Sequence, residues 1–168
     1  MKSTVVYLGL GSNLGDRERN LRQALDLLCQ QVTLYTISPI YETAPEGDGS
    51  QPRYLNLVCK ARTKLPPEEL LKFAKGIEAQ MGREPGPRNS PRPIDIDILF
   101  YGNMAVDTPE LTIPHPHAAE RAFVLIPLVN IAPRLRHPVS GKTVTQLVKK
   151  LKRTEGDAER WAESESEE

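Results

Sequence analysis

Two cysteines, one tryptophan and three phenylalanines in 168 residues leave the chain poor in the features that most quickly classify a protein. Cys29 and Cys59 stand at no metal-ligand spacing and are too few for a disulfide framework, so a reduced compartment is expected. No apolar run approaches the ~20 residues of a membrane span. The amino terminus runs from a short apolar strand straight into a glycine turn without a small-residue cleavage site, which speaks against a signal peptide. A soluble, cytoplasmic protein without membrane partners is expected. Net charge is also lacking, with 22 basic against 22 acidic residues. That balance conceals an asymmetry. Residues 154–168 carry seven acids against Arg160 alone, which leaves 21 basic and 15 acidic residues in the rest. A mildly basic body with an acidic tail suits a small anionic substrate better than a nucleic acid.

The length fits one domain, here 1–153, followed by a flexible acidic tail, 154–168, that should not join the core. No internal repeat is present. Residues 4–10 read as a buried strand ending at Gly11, and Asp16 can cap a helix whose apolar face is Leu21, Ala24, Leu25, Leu27 and Leu28. Residues 32–42 read as a second strand, with Pro39 marking an edge or bulge, and residues 54–63 as a third. Pro66-Pro67 opens a helix to about Gln80, and 94–101 is a fourth strand. The order strand–helix–strand, strand–helix–strand is that of an α/β (α+β) ferredoxin-like βαββαβ core with an antiparallel sheet. Apolar segments after residue 118 supply further helices to cover the sheet.

Two segments dense in proline, glycine and polar residues, 44–53 and 84–93, lead into strands with polar side chains. Loops of that length in a compact domain are often functional. In Asp95-Ile96-Asp97, strand alternation puts both carboxylates on one face and Ile94, Ile96 and Ile98 on the other. Their Cα atoms should lie roughly 6.5–7 Å apart, a spacing suited to gripping magnesium. Taken alone, the pair reads better as an exposed face bridged to Arg88 and Arg92. Arg83, Arg88 and Arg92 beside it add the forked donors that hold polyphosphate.

Gly9-Leu-Gly11-Ser-Asn-Leu-Gly15 misses the dinucleotide fingerprint by one residue, and no P-loop pattern G-x-x-x-x-G-K-[ST] occurs. These glycines serve close packing and a tight turn, or the floor of a substrate site. His115-Pro-His117 is a poor zinc pair, and a phosphate donor is the better reading of His115. Tyr54 and Asn56 alternate onto one strand face, where they could hold a flat heterocycle or sit as core residues.

The segment Arg88-Asn-Ser-Pro-Arg92-Pro-Ile-Asp95-Ile-Asp97 resembles the signature of the 6-hydroxymethyl-7,8-dihydropterin pyrophosphokinase family of folate biosynthesis. GLGSNLGD, Tyr41-Glu-Thr43, Tyr54-Leu-Asn56, Glu78-x-x-x-Gly82-Arg83, Leu111-Thr112-Ile-Pro-His115 and Arg121-Ala-Phe123 follow in family order, so the likeness extends to about residue 135. It implies a ferredoxin-like fold with helices on both faces, and transfer of diphosphate from ATP to the pterin hydroxymethyl group with release of AMP. It implies further that Asp95 and Asp97 bind two Mg²⁺ ions. Arg83 and Arg92 would neutralise phosphate, with Lys75, Arg88, Ile98, Thr112, His115 and Arg121 completing the nucleotide site. Tyr54 and Phe123 would sandwich the pterin, and Gly11, Thr43, Ala44, Glu46 and Asn56 would form its floor and edge. The partners implied are the two small substrates, with a monomeric enzyme and no nucleic acid.

Overall fold

The computed structural model describes residues 2–43, 52–83, 91–151 and 158–161. Its elements run β1 (Thr4–Ser12), α1 (Arg17–Leu28), β2 (Val32–Ile37), β3 (Tyr41–Thr43), β4 (Tyr54–Thr63), α2 (Pro67–Gln80), β5 (Asp95–Tyr101), β6 (Val106–Asp107), β7 (Thr112–Ile113), α3 (Ala122–Ile131), α4 (Val144–Lys149) and β8 (Glu159–Arg160). The main sheet is ordered β5-β1-β4-β3-β8, with β2 also on β4, and every pairing is antiparallel. This is the ferredoxin-like core expected from the element order, and β1 and β4 are its inner strands.

The helices form where the sequence supplies start signals and one apolar face. Asp16 accepts from the Arg19 N–H at 3.2 Å to cap α1, which buries Leu21, Ala24 and Leu28. Pro67 occupies the first turn of α2, where its missing N–H is harmless, and Leu70, Ala74 and Ile77 face inward. Both helices pack on the sheet face formed by Val6, Leu8, Leu10, Leu57, Ile96 and Ile98. On the opposite face α3 and α4 cover Tyr7, Val58, Leu99 and Phe100. Leu99 and Phe100 share that face although adjacent, because the β1–β5 register shifts between Tyr7 and Leu8.

The single strand expected over 32–42 is divided. β2 pairs with the far half of β4 and β3 with its near half. Pro39 offers no N–H at the join, and Ser38 bridges the gap. Its N–H donates to the Val58 carbonyl at 2.8 Å and its Oγ accepts from the Val58 N–H at 2.9 Å.

The acidic segment expected to stand clear of the core differs in residues 158–161. Glu159 and Arg160 pair with Glu42 and Tyr41, and the Trp161 N–H donates to the Ile40 carbonyl at 2.8 Å. The open edge of β3 supplies backbone partners, and Trp161 packs partly buried against the α1/α2 core. No described helix is long and apolar enough to cross a membrane.

Candidate functional site

The site lies on the sheet face carrying α3 and α4, at the end where β1 finishes and β4 and β5 begin. In register, Asp95 on β5 stands beside Gly11 on β1, Gly11 beside Asn56 on β4, and Asn56 beside Tyr41 on β3. The next row sets Asp97 beside Gly9 and Gly9 beside Val58. The absence of side chains at positions 9 and 11 keeps the floor between the carboxylates and the amide low. A Cβ on Gly11 would lie 2.6 Å from Asn56 Oδ1 and 3.3 Å from Tyr54 Cδ1, so the position excludes alanine unless the amide moves. Of the two readings of the glycines, this geometry at Gly11 is one of close packing, against Asn56 and Tyr54. At Gly9 a Cβ would touch Leu99 at 3.4 Å, a packing constraint.

Ion pairs converge on the carboxylates. Arg83 Nη1 lies 2.9 Å from Asp95 Oδ1 and 2.8 Å from Glu78 Oε1, while Arg92 Nη1 is 3.6 Å from Asp95 Oδ2. Arg92 therefore has a carboxylate partner before any phosphate arrives, and Asp95 is bridged to Arg83 and Arg92 in the absence of ligand. Asp97 faces His115, with Nε2 3.6 Å from Oδ1. Burial pushes the Asp97 carboxyl well above the usual carboxylate range, and the charges of Asp95 and Glu78 push it the same way, against Lys75 and Arg83. His115 Nδ1 accepts from the His117 N–H at 3.1 Å, so the neutral ring carries its proton on Nε2, toward Asp97.

Two residues unassigned by the sequence reading organise this end of the sheet. Glu78 is buried on α2, accepts the Ile96 N–H at 2.8 Å and reaches Lys75 at 3.6 Å as well as Arg83. Burial raises its carboxyl despite that amide and both cations. The available signal was a charge at position 78 within the apolar stripe Leu70-Ala74-Ile77. Asn13 is buried at the end of β1. Its Oδ1 accepts the Arg92 N–H at 2.7 Å, its own N–H donates to the Arg92 carbonyl at 3.1 Å, and its Nδ2 donates to the Pro52 carbonyl at 3.3 Å. It ties together the approaches to β4 and β5. Sequence offered no signal for contacts that distant.

On the β3 side, the Asn56 amide donates to Thr43 Oγ1, and Tyr41 OH accepts from Asn130 at 2.7 Å. Tyr54 lies over the same face beside Gly11, and burial raises its phenol, keeping it neutral. Phe123 opens α3 with its ring edge-on to His117 at 5.8 Å, and Arg121 is the residue capping that helix. Thr112 lies on β7. The Ile98 side chain is buried in the α1/α2 core, because alternation turns it away from Asp97, which leaves its main chain for a contact at this site. Ala44, Glu46 and Arg88 lie outside the described residues. Gly141-Lys142-Thr143 has the ending of a P-loop, but Arg136 stands where that loop has its first glycine, and Thr143 caps the six-residue α4 with a capping box.

Among the described residues, no three His, Cys, Asp or Glu side chains gather as metal ligands. Two hard carboxylates on one face nonetheless fit Mg²⁺, which takes few protein ligands and fills its octahedron with water and phosphate oxygens.

A profile of the 7,8-dihydro-6-hydroxymethylpterin-pyrophosphokinase family matches residues 7–133. The Bacillus subtilis 2-amino-4-hydroxy-6-hydroxymethyldihydropteridine pyrophosphokinase is 40% identical over 157 residues, covering 92% of this chain and 94% of that protein. The Dictyostelium discoideum folic acid synthesis protein FOL1 is 43% identical over 145 residues, 86% of this chain but 22% of the longer protein. The chain thus spans about a fifth to a quarter of the multi-part relatives it matches. Among solved structures, Plasmodium falciparum HPPK-DHPS with pteroate aligns at a TM-score of 0.72 and 18% identity, over 89% of this chain and 42% of that one. That likeness is one of fold.

Proposed function

The chain belongs to the 7,8-dihydro-6-hydroxymethylpterin-pyrophosphokinase family, and from that premise we propose that it transfers diphosphate from ATP to the hydroxymethyl group of 6-hydroxymethyl-7,8-dihydropterin, releasing AMP, as a step in folate biosynthesis. The observation that carries the reading is the row Asp95–Gly11–Asn56: phosphate chemistry at one end, a flat polar slot at the other, and a floor without side chains between them.

The pterin occupies the Asn56 end. Thr43 holds the amide in one orientation, so its Oδ1 is presented to a ring edge above Gly11. Tyr54 and Phe123 supply aromatic faces for stacking. ATP approaches from the β5 side, where Arg83 and Arg92 exchange their carboxylate contacts for phosphate oxygens and stabilise charge passing to AMP. The His115 Nε2–H is a further donor to phosphate, and Lys75, Thr112 and Arg121 border the nucleotide. Asp95 and Asp97 hold Mg²⁺, in two ions on this reading. When bound, that metal supplies Lewis-acid polarisation of phosphate and alcohol oxygens. Glu78 fixes β5 through the Ile96 N–H and fixes Arg83 by ion pairing, so both carboxylates keep their spacing. The same reading carries a monomeric, cytoplasmic enzyme.

The deciding experiment supplies the dihydropterin alcohol, Mg²⁺ and ATP and resolves the nucleotide products. AMP appearing one-for-one with pterin diphosphate is expected. ADP would make the protein an ordinary alcohol kinase, and nucleotide left unconsumed would make it a binding module.

A further inference from the structure

The sheet edge beside the pterin end of the site is closed by residues beyond the family match, which stops at residue 133. β3 is three residues long and pairs with β4 along one edge. Along its other edge Tyr41 pairs with Arg160, Glu42 pairs with Glu159, and the Ile40 carbonyl accepts the Trp161 N–H at 2.8 Å. The Trp161 indole is tied down in turn. Its Nε1–H donates to Glu18 Oε1 at 2.8 Å, and the Arg17 guanidinium lies 5.1 Å from the ring centroid. Arg17 also donates to Glu42 Oε2 and to the Arg53 carbonyl, each at 2.9 Å. Trp161 therefore holds the residue before β3 by its main chain and the start of α1 by its indole, and Arg17 beside the ring reaches Glu42 on β3 and the residue preceding β4.

Those connections end on the frame of the pterin slot. Thr43, the last residue of β3, accepts the Asn56 amide, while Tyr54 follows Arg53 directly and pairs with Thr43. A three-residue strand cannot fix its own position, and so short a pairing gains order from whatever closes its second edge. We infer that Trp161 is a positioning residue for the pterin substrate, which it does not touch: by clamping β3 and Arg17 it holds Thr43 and Asn56 in the orientation that reads the ring edge. The role presupposes the pterin reading given above and adds to it a second-edge clamp from outside the matched family region. The nucleotide half, on β5 and α2, lies beyond β4 and β1 from the clamp, and none of the clamp contacts named above touches it.

The test uses the full chain and three variants, W161A, W161F and L147A. Dissociation constants are measured separately for pterin and for a non-hydrolysable ATP analogue, together with kcat, KM and Tm. Loss of a cation–π contact and a charge-assisted hydrogen bond predicts pterin binding about tenfold weaker in W161A, with nucleotide binding within about twofold of the parent. The pterin KM should rise with it while kcat at saturating pterin stays near the parent value. W161F retains a ring under Arg17 without the N–H donor and should recover part of the loss. L147A, which thins the core beneath α4, should lower Tm without changing pterin affinity. Unchanged pterin affinity in W161A, parallel weakening of both ligands, or an equal pterin loss in L147A would each overturn the clamp. If W161A does not fold, W161F decides, and parental pterin affinity there overturns it. A parent chain that yields no AMP would count against the pyrophosphokinase reading instead, because the two binding measurements do not depend on turnover.

Discussion

At the scale of single residues, Asp95 and Asp97 sit one strand repeat apart, and the structure gives them unequal neighbours. Asp95 faces two guanidinium groups, whereas Asp97 faces an imidazole across 3.6 Å. Asp→Asn at either position preserves shape and removes a charge needed for metal and phosphate, so turnover should fall by about three orders of magnitude, equivalent to ~4 kcal/mol. Steady-state assays at fixed Mg²⁺ check this, and near-normal turnover would return the pair to an arginine-bridged surface. Stability should respond oppositely at Asp97. Its folded pKa lies above the unfolded value, so its favourable contribution is complete below the ordinary carboxyl range and declines as pH rises through the folded pKa. In Mg²⁺-free buffer, Asp97→Asn should therefore melt higher than the parent at about pH 8 and by much less at about pH 5, as thermal melts in chelator would show. Gly11→Ala tests the floor: displacing the Asn56 amide from Thr43 should weaken pterin binding about tenfold, ~1.4 kcal/mol, while ATP-analogue binding holds.

At the scale of elements, strand alternation and helix start signals were legible because they are local. β1, β4, α1, α2 and β5 appear where the periodicity placed them, and the two aspartates share a face for the same reason. What could not be read depends on partners distant in sequence. Ser38 divides the second strand by bonding to Val58, which no local pattern announces. α3 is apolar nearly all round and contains Pro127, so it has no stripe to reveal which side faces β4. Asn13 makes its contacts at Pro52 and Arg92, near the ends of the two long polar segments. Asn13→Ala leaves the Arg92 N–H without its amide acceptor, and about 1–3 kcal/mol of stability should go with it. A Tm lower by several degrees, together with weaker binding of both ligands, is the expected result of calorimetry and titration. Selective loss of one ligand would mean that Asn13 serves only one of the two segments.

For the whole molecule, one sheet face is covered along its length by α1 and α2, and the other only partly by α3 and α4, so stability and chemistry occupy different parts of the same sheet. The thiols report on the covered face. Cys59 is fully buried and pushed up to about 12, whereas Cys29 is exposed at the end of α1. A thiol reagent near pH 8 should modify one cysteine per folded chain and the second only in denaturant. The inner strand β1 has a different consequence. β1 is bonded on both sides along Leu8–Gly11, so the amides under the reacting groups are closed in by β4 and β5 together. In hydrogen–deuterium exchange those amides should be among the last to acquire label, opening only when the whole chain opens. The spacing of carboxylates and glycine floor then fails only with the sheet. Thermal loss of ATP-analogue binding should follow the far-ultraviolet circular dichroism melt degree for degree, without a window in which the sheet persists and the nucleotide half is lost.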